Sequence, residues 1–373
     1  MSRHIPARSR LISGLVISML ALGMFPLAAQ AATPPIRFTL SYGDDCISGT
    51  ANSGTVAVTW RSAGGALKAA GAIPESGYWE LCSSGSDPAY VEIGDKIKAD
   101  DGTYARNYVV PELNVIADRV GDTFYGTGPA GRTITLWYPA GTFADYGYTH
   151  YVRVGSDGHW SYTPNDISDI IGGWFAELDW KSPNDDRLTD YTNAPAVALT
   201  LGKARFAGST EGGRTVTLAL RDANSNERLA RATATTAPEF GDFFATFRDS
   251  NGNAVKVMPG QRFKSLSLAA DANWIVPNIE ATADTDADTV SGRCYDAGTS
   301  SGSLAVFVSR DGHQRGYYLF GQVDDAAGNF TVDFSDSHAS PGYDPVNIQP
   351  GDELSVTCRQ TTGDSVGASF VAP

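Results

Sequence analysis

Apolar residues recur at every second position in short runs along the chain. Val56, Val58 and Trp60 alternate with polar neighbours, as do Val216, Leu218 and Leu220, and Leu304, Val306 and Val308. A period of two buries one side of a strand and leaves the other in water. Clusters of Gly, Asn and Asp, such as Asp249-Ser250-Asn251-Gly252-Asn253, separate the runs and favour hairpin turns. No long stretch carries a 3.6-residue period, and one turn of helix over Asp166 to Ile171 is the only helical expectation. Several short strands per segment without crossover helices predict an all-β chain of antiparallel β-sandwiches.

The pattern repeats four times, in columns spaced 76 to 91 residues apart. A Pro precedes an alternating stretch at Pro35, Pro111, Pro195 and Pro277. A Gly follows an apolar residue by two at Ile47/Gly49, Phe124/Gly126, Phe206/Gly208 and Val290/Gly292. A Gly precedes an aromatic by two at Gly77/Trp79, Gly158/Trp160, Gly241/Phe243 and Gly328/Phe330. A turn Gly precedes the last strand at Gly94, Gly173, Gly260 and Gly351. Pro cannot extend an inner ladder and stiffens a linker, so the Pro column marks junctions. The expected organisation is a leader over 1–31 and four tandem sandwiches over 32–110, 111–194, 195–276 and 277–373.

The second copy runs Val120-Gly121-Asp122-Thr123-Phe124-Tyr125-Gly126 through Gly131-Arg132-Thr133-Ile134-Thr135-Leu136 to Asp157-Gly158-His159-Trp160. This pattern resembles bacterial immunoglobulin-like (Big-type) repeats, in which a Gly-rich hairpin leads to a strand and a D-G-x-W-type turn opens another. The resemblance extends in part to the other three copies. It implies an Ig-like sandwich in a surface, adhesive or matrix protein, or in an accessory module of a secreted enzyme. Fold alone does not decide among these.

The N-terminus bears on the compartment. Arg3, Arg8 and Arg10 precede an apolar stretch from Leu11 to Phe25, and Ala29-Gln30-Ala31 follows with small residues. This is the layout of a secretory signal peptide, with the alternative of a membrane anchor made less apt by the short apolar run. Cleavage after Ala31 takes the net charge from −14 to −17. No other stretch is long and apolar enough for a membrane span. The acidity, from 32 Asp and 10 Glu, excludes a general nucleic-acid binder and gives no steering toward anionic membranes.

Four cysteines in an exported chain imply two disulfides. Cys46 and Cys82 are each one residue out of step with the inward-facing Ile47, Trp79 and Leu81, so both face outward. Cys294 shares phase with Val290, and Cys358 with Leu354 and Val356, so both face inward. Like phases meet, and the expected bridges are Cys46–Cys82 and Cys294–Cys358.

Candidate chemistry is sparse. The mature histidines, His150, His159, His313 and His338, have no metal-type spacing, and neither an H-E-x-x-H nor a P-loop occurs. Gly298-Thr299-Ser300-Ser301-Gly302 fits G-x-S-x-G, but it leads into a strand where a nucleophile elbow needs a helix, so a hairpin is expected. Two binding candidates stand out. Tyr138, Tyr146, Tyr148 and Tyr151 lie among the tryptophans of the second copy and are possible glycan-facing residues, with packing in the sheets as the alternative. Asp284, Asp286 and Asp288 would point the same way if that segment is extended, and three carboxylates together suit Ca²⁺. The alternative is a solvated acidic linker, and Thr289 and Tyr295 depart from the EF-hand pattern.

The sequence therefore reads as an exported, non-enzymatic tandem protein acting as an adhesive, matrix or spacer element outside the cell, at its surface or in the periplasm. Its partners would be other surface or matrix proteins. The alternative is a polysaccharide-binding accessory protein that uses the aromatics of the second copy.

Overall fold

The computed structural model describes residues 36–373 except 53, 76, 86–87, 140–146, 168, 239, 269–271, 296–302 and 336–344. The described residues form 28 strands and no helix. The helical turn expected over Asp166 to Ile171 does not form among them. There the Ile170 amide donates to the Asp122 carboxylate at 2.9 Å, which ties the segment to a distant turn.

Seven strands arise in each copy. The first holds β1 (Arg37–Ser41), β2 (Cys46–Thr50), β3 (Gly54–Arg61), β4 (Leu67–Glu75), β5 (Tyr78–Cys82), β6 (Lys96–Asp100) and β7 (Ala105–Val109). The second holds β8 (Asn114–Asp118), β9 (Thr123–Thr127), β10 (Thr133–Pro139), β11 (Gly147–Arg153), β12 (His159–Tyr162), β13 (Phe175–Lys181) and β14 (Arg187–Asn193). The third holds β15 (Ala196–Thr200), β16 (Arg205–Ser209), β17 (Thr215–Asp222), β18 (Arg228–Thr235), β19 (Asp242–Thr246), β20 (Gln261–Ser265) and β21 (Asn273–Ile275). The fourth holds β22 (Ile279–Asp284), β23 (Thr289–Cys294), β24 (Leu304–Arg310), β25 (His313–Gly321), β26 (Asn329–Asp333), β27 (Glu353–Arg359) and β28 (Ser365–Val371). Pro111, Pro195 and Pro277 fall between consecutive sets.

In every copy the first, second and fifth strands pair, and the fourth, third, sixth and seventh form a second sheet in that order. The copies are not independent. β1 pairs in parallel with β14, with Thr39 opposite Arg187 and Ser41 opposite Thr189. β15 pairs in parallel with β28, with Ala198 opposite Ser365 and Thr200 opposite Gly367. Each parallel seam fuses a three-stranded and a four-stranded sheet into one of seven, in the orders β11-β10-β13-β14-β1-β2-β5 and β19-β16-β15-β28-β27-β24-β25. The buried apolar residues accordingly form two cores, one from Ile36 to Ala194 and one from Val197 to Ala372. We refer to these pairs of copies as the first and second modules.

The Gly columns of the sequence have a packing cause. Gly49, Gly126, Gly208 and Gly292 lie directly opposite Trp79, Trp160, Phe243 and Phe330 on the neighbouring strand. A Cβ on Gly49 would sit 2.1 Å from the Arg37 carbonyl oxygen and 2.3 Å from the Trp79 ring. At Gly49, Gly208 and Gly292 the aromatic lies across the missing side chain, a pairing that compensates for a glycine within a strand, while at Gly126 the space is taken by Asn114. The alternation of modules is also written in the turn between first and second strands. The odd copies place Gly43 and Gly202 in the left-handed region there, and the even copies place Asp122 and Asp288.

Candidate functional site

The most elaborate polar constructions sit at the two parallel seams. Asp186 lies just before β14 and Asp364 just before β28, in corresponding hairpins. Each carboxylate accepts the amide of the second residue of the partner strand: Phe38 to Asp186 at 3.1 Å and Val197 to Asp364 at 2.9 Å. That amide points into the seam, where an orphaned donor would cost about 1–3 kcal/mol. A guanidinium then neutralises each carboxylate. Arg106 of β7 binds Asp186 through both oxygens at 2.6 Å.

At Asp364 the guanidinium comes from the other module. Arg119, in the turn between β8 and β9, reaches the two oxygens of Asp364 at 3.2 and 3.0 Å. Its side chain is 1% exposed and that of Asp364 is 0% exposed. Arg119 also donates to the carbonyls of Pro195 and Thr362, and Trp274 Nε1 adds a third kind of donor to Asp364 at 3.2 Å. Arg359 of the second module reaches back to the Gly172 carbonyl, and Asn193 of the first donates to the Phe240 carbonyl. The modules are therefore joined by a buried, bidentate ion pair and not only by the Pro195 linker.

The four cysteines occupy two bridges, Cys46–Cys82 and Cys294–Cys358. Cys46 and Cys82 are directly opposed on the adjacent strands β2 and β5, away from the core. Cys294 and Cys358 are buried and connect β23 of one sheet to β27 of the other.

The acidic run is not extended as the calcium expectation assumed. Asp284, Asp286 and Asp288 span a hairpin turn, not an extended strand, so alternate residues do not share a side. Oδ1 of Asp284 accepts the amides of Asp286 and Ala287, each at 3.0 Å. Oδ1 of Asp288 accepts the Ile348 amide at 2.8 Å, the counterpart of the Asp122–Ile170 bond. Asp118 makes the same turn as Asp284, receiving Val120 and Gly121. These aspartates serve as turn acceptors. Among the described residues, Asp44 and Asp45 meet beside Cys46, and Glu80 lies beside Cys46 and Cys82, whose sulfurs are held in a disulfide.

The tyrosines divide by strand parity. Tyr138 is fully buried, so it presents no ring to a sugar. Its hydroxyl donates to Asp166 at 2.6 Å and lies 2.9 Å from His150 Nε2. Tyr148 faces the same way and packs 5.8 Å from Tyr138. Tyr162 completes the group, 2.9 Å from His150 Nδ1, and His150 Nε2 is 3.0 Å from Asp166. Burial, then the bond to Asp166, pushes the Tyr138 hydroxyl far up in pKa. Partial burial opposes it, but the bonds from Tyr138 and His150 hold the Asp166 carboxyl below its usual range. Tyr151 faces the opposite way and is 78% exposed. Tyr146 lies outside the described residues, as does the Gly298–Gly302 string.

Between the modules, Asp190 lines a cleft of about 570 Å³ with Tyr42, Tyr191 and Glu211. Burial pushes its carboxyl up to about 7, against the opposing effect of the Val115 amide, which donates to it at 2.8 Å.

No family model matches the sequence, and no curated protein matches it. Similar solved structures do exist. A tetra-tandem repeat from the extending region of a large adhesion protein is 18% identical, covers 91% of this chain and 99% of its own, and has a TM-score of 0.19. The BSP domain of a biofilm-associated protein is 8% identical, covers 90% and 95%, and scores 0.17. Salmonella alpha-2-macroglobulin reacted with methylamine is 10% identical, covers 91% of this chain and 30% of its own, and scores 0.15. At such scores the likeness carries no argument about role.

Proposed function

We propose that the chain is an exported, non-enzymatic, load-bearing element of adhesive or matrix type, working at the cell surface or beyond it with other surface or matrix proteins as partners. The observation that carries this reading is the seam geometry. Within each module the first and last strands are parallel neighbours. Tension applied through the chain pulls β1 from its N-terminal end and β14 from its C-terminal end, and does the same to β15 and β28. Parallel strands pulled from opposite ends slide past each other, so the seam bonds must break together instead of unzipping one by one. Forced unfolding is governed by this kind of barrier. The buried Arg119–Asp364 pair holds the two clamps together.

The two disulfides fit an oxidising compartment, with no free cysteine among the described residues. Among the described residues the His150 ring is bonded to the Tyr138 and Tyr162 hydroxyls and to Asp166, and to no Ser or Cys side chain.

Single-molecule stretching tests the reading. The modules run over residues 36–194 and 197–372, and with the disulfides intact the 36-residue Cys46–Cys82 and 64-residue Cys294–Cys358 loops stay closed, so each rupture should release roughly 40 nm of chain. Two large steps per molecule are expected. Four small steps at low force would show that the copies yield singly and that the seams bear no load.

A further inference from the structure

We propose that the outer face of the sheet formed by β11, β10, β13 and β14 is a binding site for a neutral polysaccharide chain. This goes beyond the load-bearing role, which does not depend on it.

The register places one aromatic on each of four adjacent strands. Tyr151 of β11 is opposite Thr135, two residues from Trp137 on β10. Trp137 is opposite Glu177, two residues from Phe175 on β13, and Glu177 is opposite Tyr191 on β14. The rings of Trp137 and Phe175 are 6.3 Å apart, and those of Phe175 and Tyr191 are 5.3 Å apart. Four strands at their normal spacing span about 14 Å, enough for a short run of sugar units. Unlike Tyr138, none of these rings belongs to the core.

Beside the aromatic row lies a cleft of about 430 Å³ lined by Thr135, Trp137, Thr149, Glu177, Asp179 and Arg187, together with Phe175. Arg187 pairs with Asp179 at 3.0 Å and with Glu177 at 3.1 Å. That pairing fixes the carboxylates in place. Planar apolar faces beside a few fixed donors and acceptors are the chemistry that recognises a sugar, whose ring presents C–H groups on its faces and hydroxyls on its edge. The charge balance selects the class. Two carboxylates face one guanidinium on a chain of net charge −14, so a polyanion would be repelled and an uncharged glycan would not.

The test is affinity electrophoresis of the full chain in native gels containing hydroxyethylcellulose, xylan, galactomannan or dextran, with alginate as the polyanion. Retardation in at least one neutral gel is expected, falling at least tenfold in Trp137→Ala and in Tyr151→Ala. Tyr151 is largely exposed, so its variant should keep the parent Tm and separates lost binding from lost folding. Tyr125→Ala, on the other sheet of the same copy, should bind as the parent does. Unchanged mobility in all four neutral gels overturns the proposal. So does retardation that survives both aromatic substitutions, or alginate binding as strong as neutral binding. A protein ligand whose capture needs Trp137 while no gel retards the chain would assign the face to a protein and overturn it equally.

Discussion

Arg119 and Asp364 lie 245 positions apart in sequence and form a bidentate ion pair from which water is excluded. The pair replaces, at the second seam, what Arg106 does for Asp186 at the first. Arg119→Ala would remove the guanidinium that pairs with both oxygens of a buried carboxylate, and losses of this kind run at about 3–5 kcal/mol. The expected outcome is a large fall in the urea midpoint of the second module. The double variant Arg119→Met, Asp364→Asn should recover part of the loss, because it leaves no charge behind and keeps an acceptor for the Val197 amide. A single variant as stable as the parent would mean that the pair contributes no cohesion.

Gly49→Ala should be destabilising by about 1–3 kcal/mol, since its Cβ has no space between the Arg37 carbonyl and the Trp79 ring. Gly64→Ala is the matched control, with only Ser62 Oγ near at 3.9 Å, and should stay within about 0.5 kcal/mol of the parent. Thermal melts of the two variants side by side would decide whether the Gly column is a packing constraint.

Burial of the Asp190 carboxyl gives the chain a pH dependence. Its ordinary pKa of 3.8 rises to about 7 in the folded chain, mainly through burial. Between these values the folded state binds more protons than the unfolded state, so this group's contribution falls as pH rises from about 4 to 7. Because Asp190 borders an open cleft, solvent reduces the effect to about 1–2 kcal/mol. Asp190→Asn keeps an acceptor for the Val115 amide and should be more stable than the parent at pH 8, with the difference shrinking toward pH 4. Parallel stability curves across that range would contradict the assignment.

The two disulfides should differ in what their removal costs. Cys294–Cys358 closes a 64-residue separation between the two sheets, while Cys46–Cys82 closes 36 residues between adjacent strands of one sheet. Loop closure alone makes the first worth about 0.5 kcal/mol more. Replacing buried Cys294 and Cys358 with serine also leaves hydroxyls in the core, whereas the same change at Cys46 and Cys82 leaves them near water. The Cys294→Ser, Cys358→Ser variant should therefore unfold at the lower temperature by calorimetry.

Periodicity and columns made the strands legible because both record local facts: an inward side chain every second residue, and a Gly wherever an aromatic crosses a strand. The seams left no such record. Residues of β1 and β14 alternate like those of any strand, and nothing in that alternation says which edge pairs with which across 148 positions. The one trace is the change from Gly43 and Gly202 to Asp122 and Asp288 in corresponding turns, which marks odd from even copies. The acidic run departs from its expected extended shape for a related reason. Spacing by two implies a shared side only in a strand, and Asp284 caps the turn that ends one. For the aromatics, parity divided a cluster that looked single: Tyr138 and Tyr148 went inward to His150, Tyr151 and Trp137 outward.

Because each seam takes the first strand of an odd copy and the last strand of an even one, a single copy is not a viable unit of inheritance. Losing one copy would strip a partner from a parallel edge and expose a row of backbone donors and acceptors to the next chain it meets. Losing two adjacent copies, an odd one with the even one after it, removes a closed set. Lengthening or shortening of this chain by recombination should accordingly proceed by twos, with the number of copies staying even.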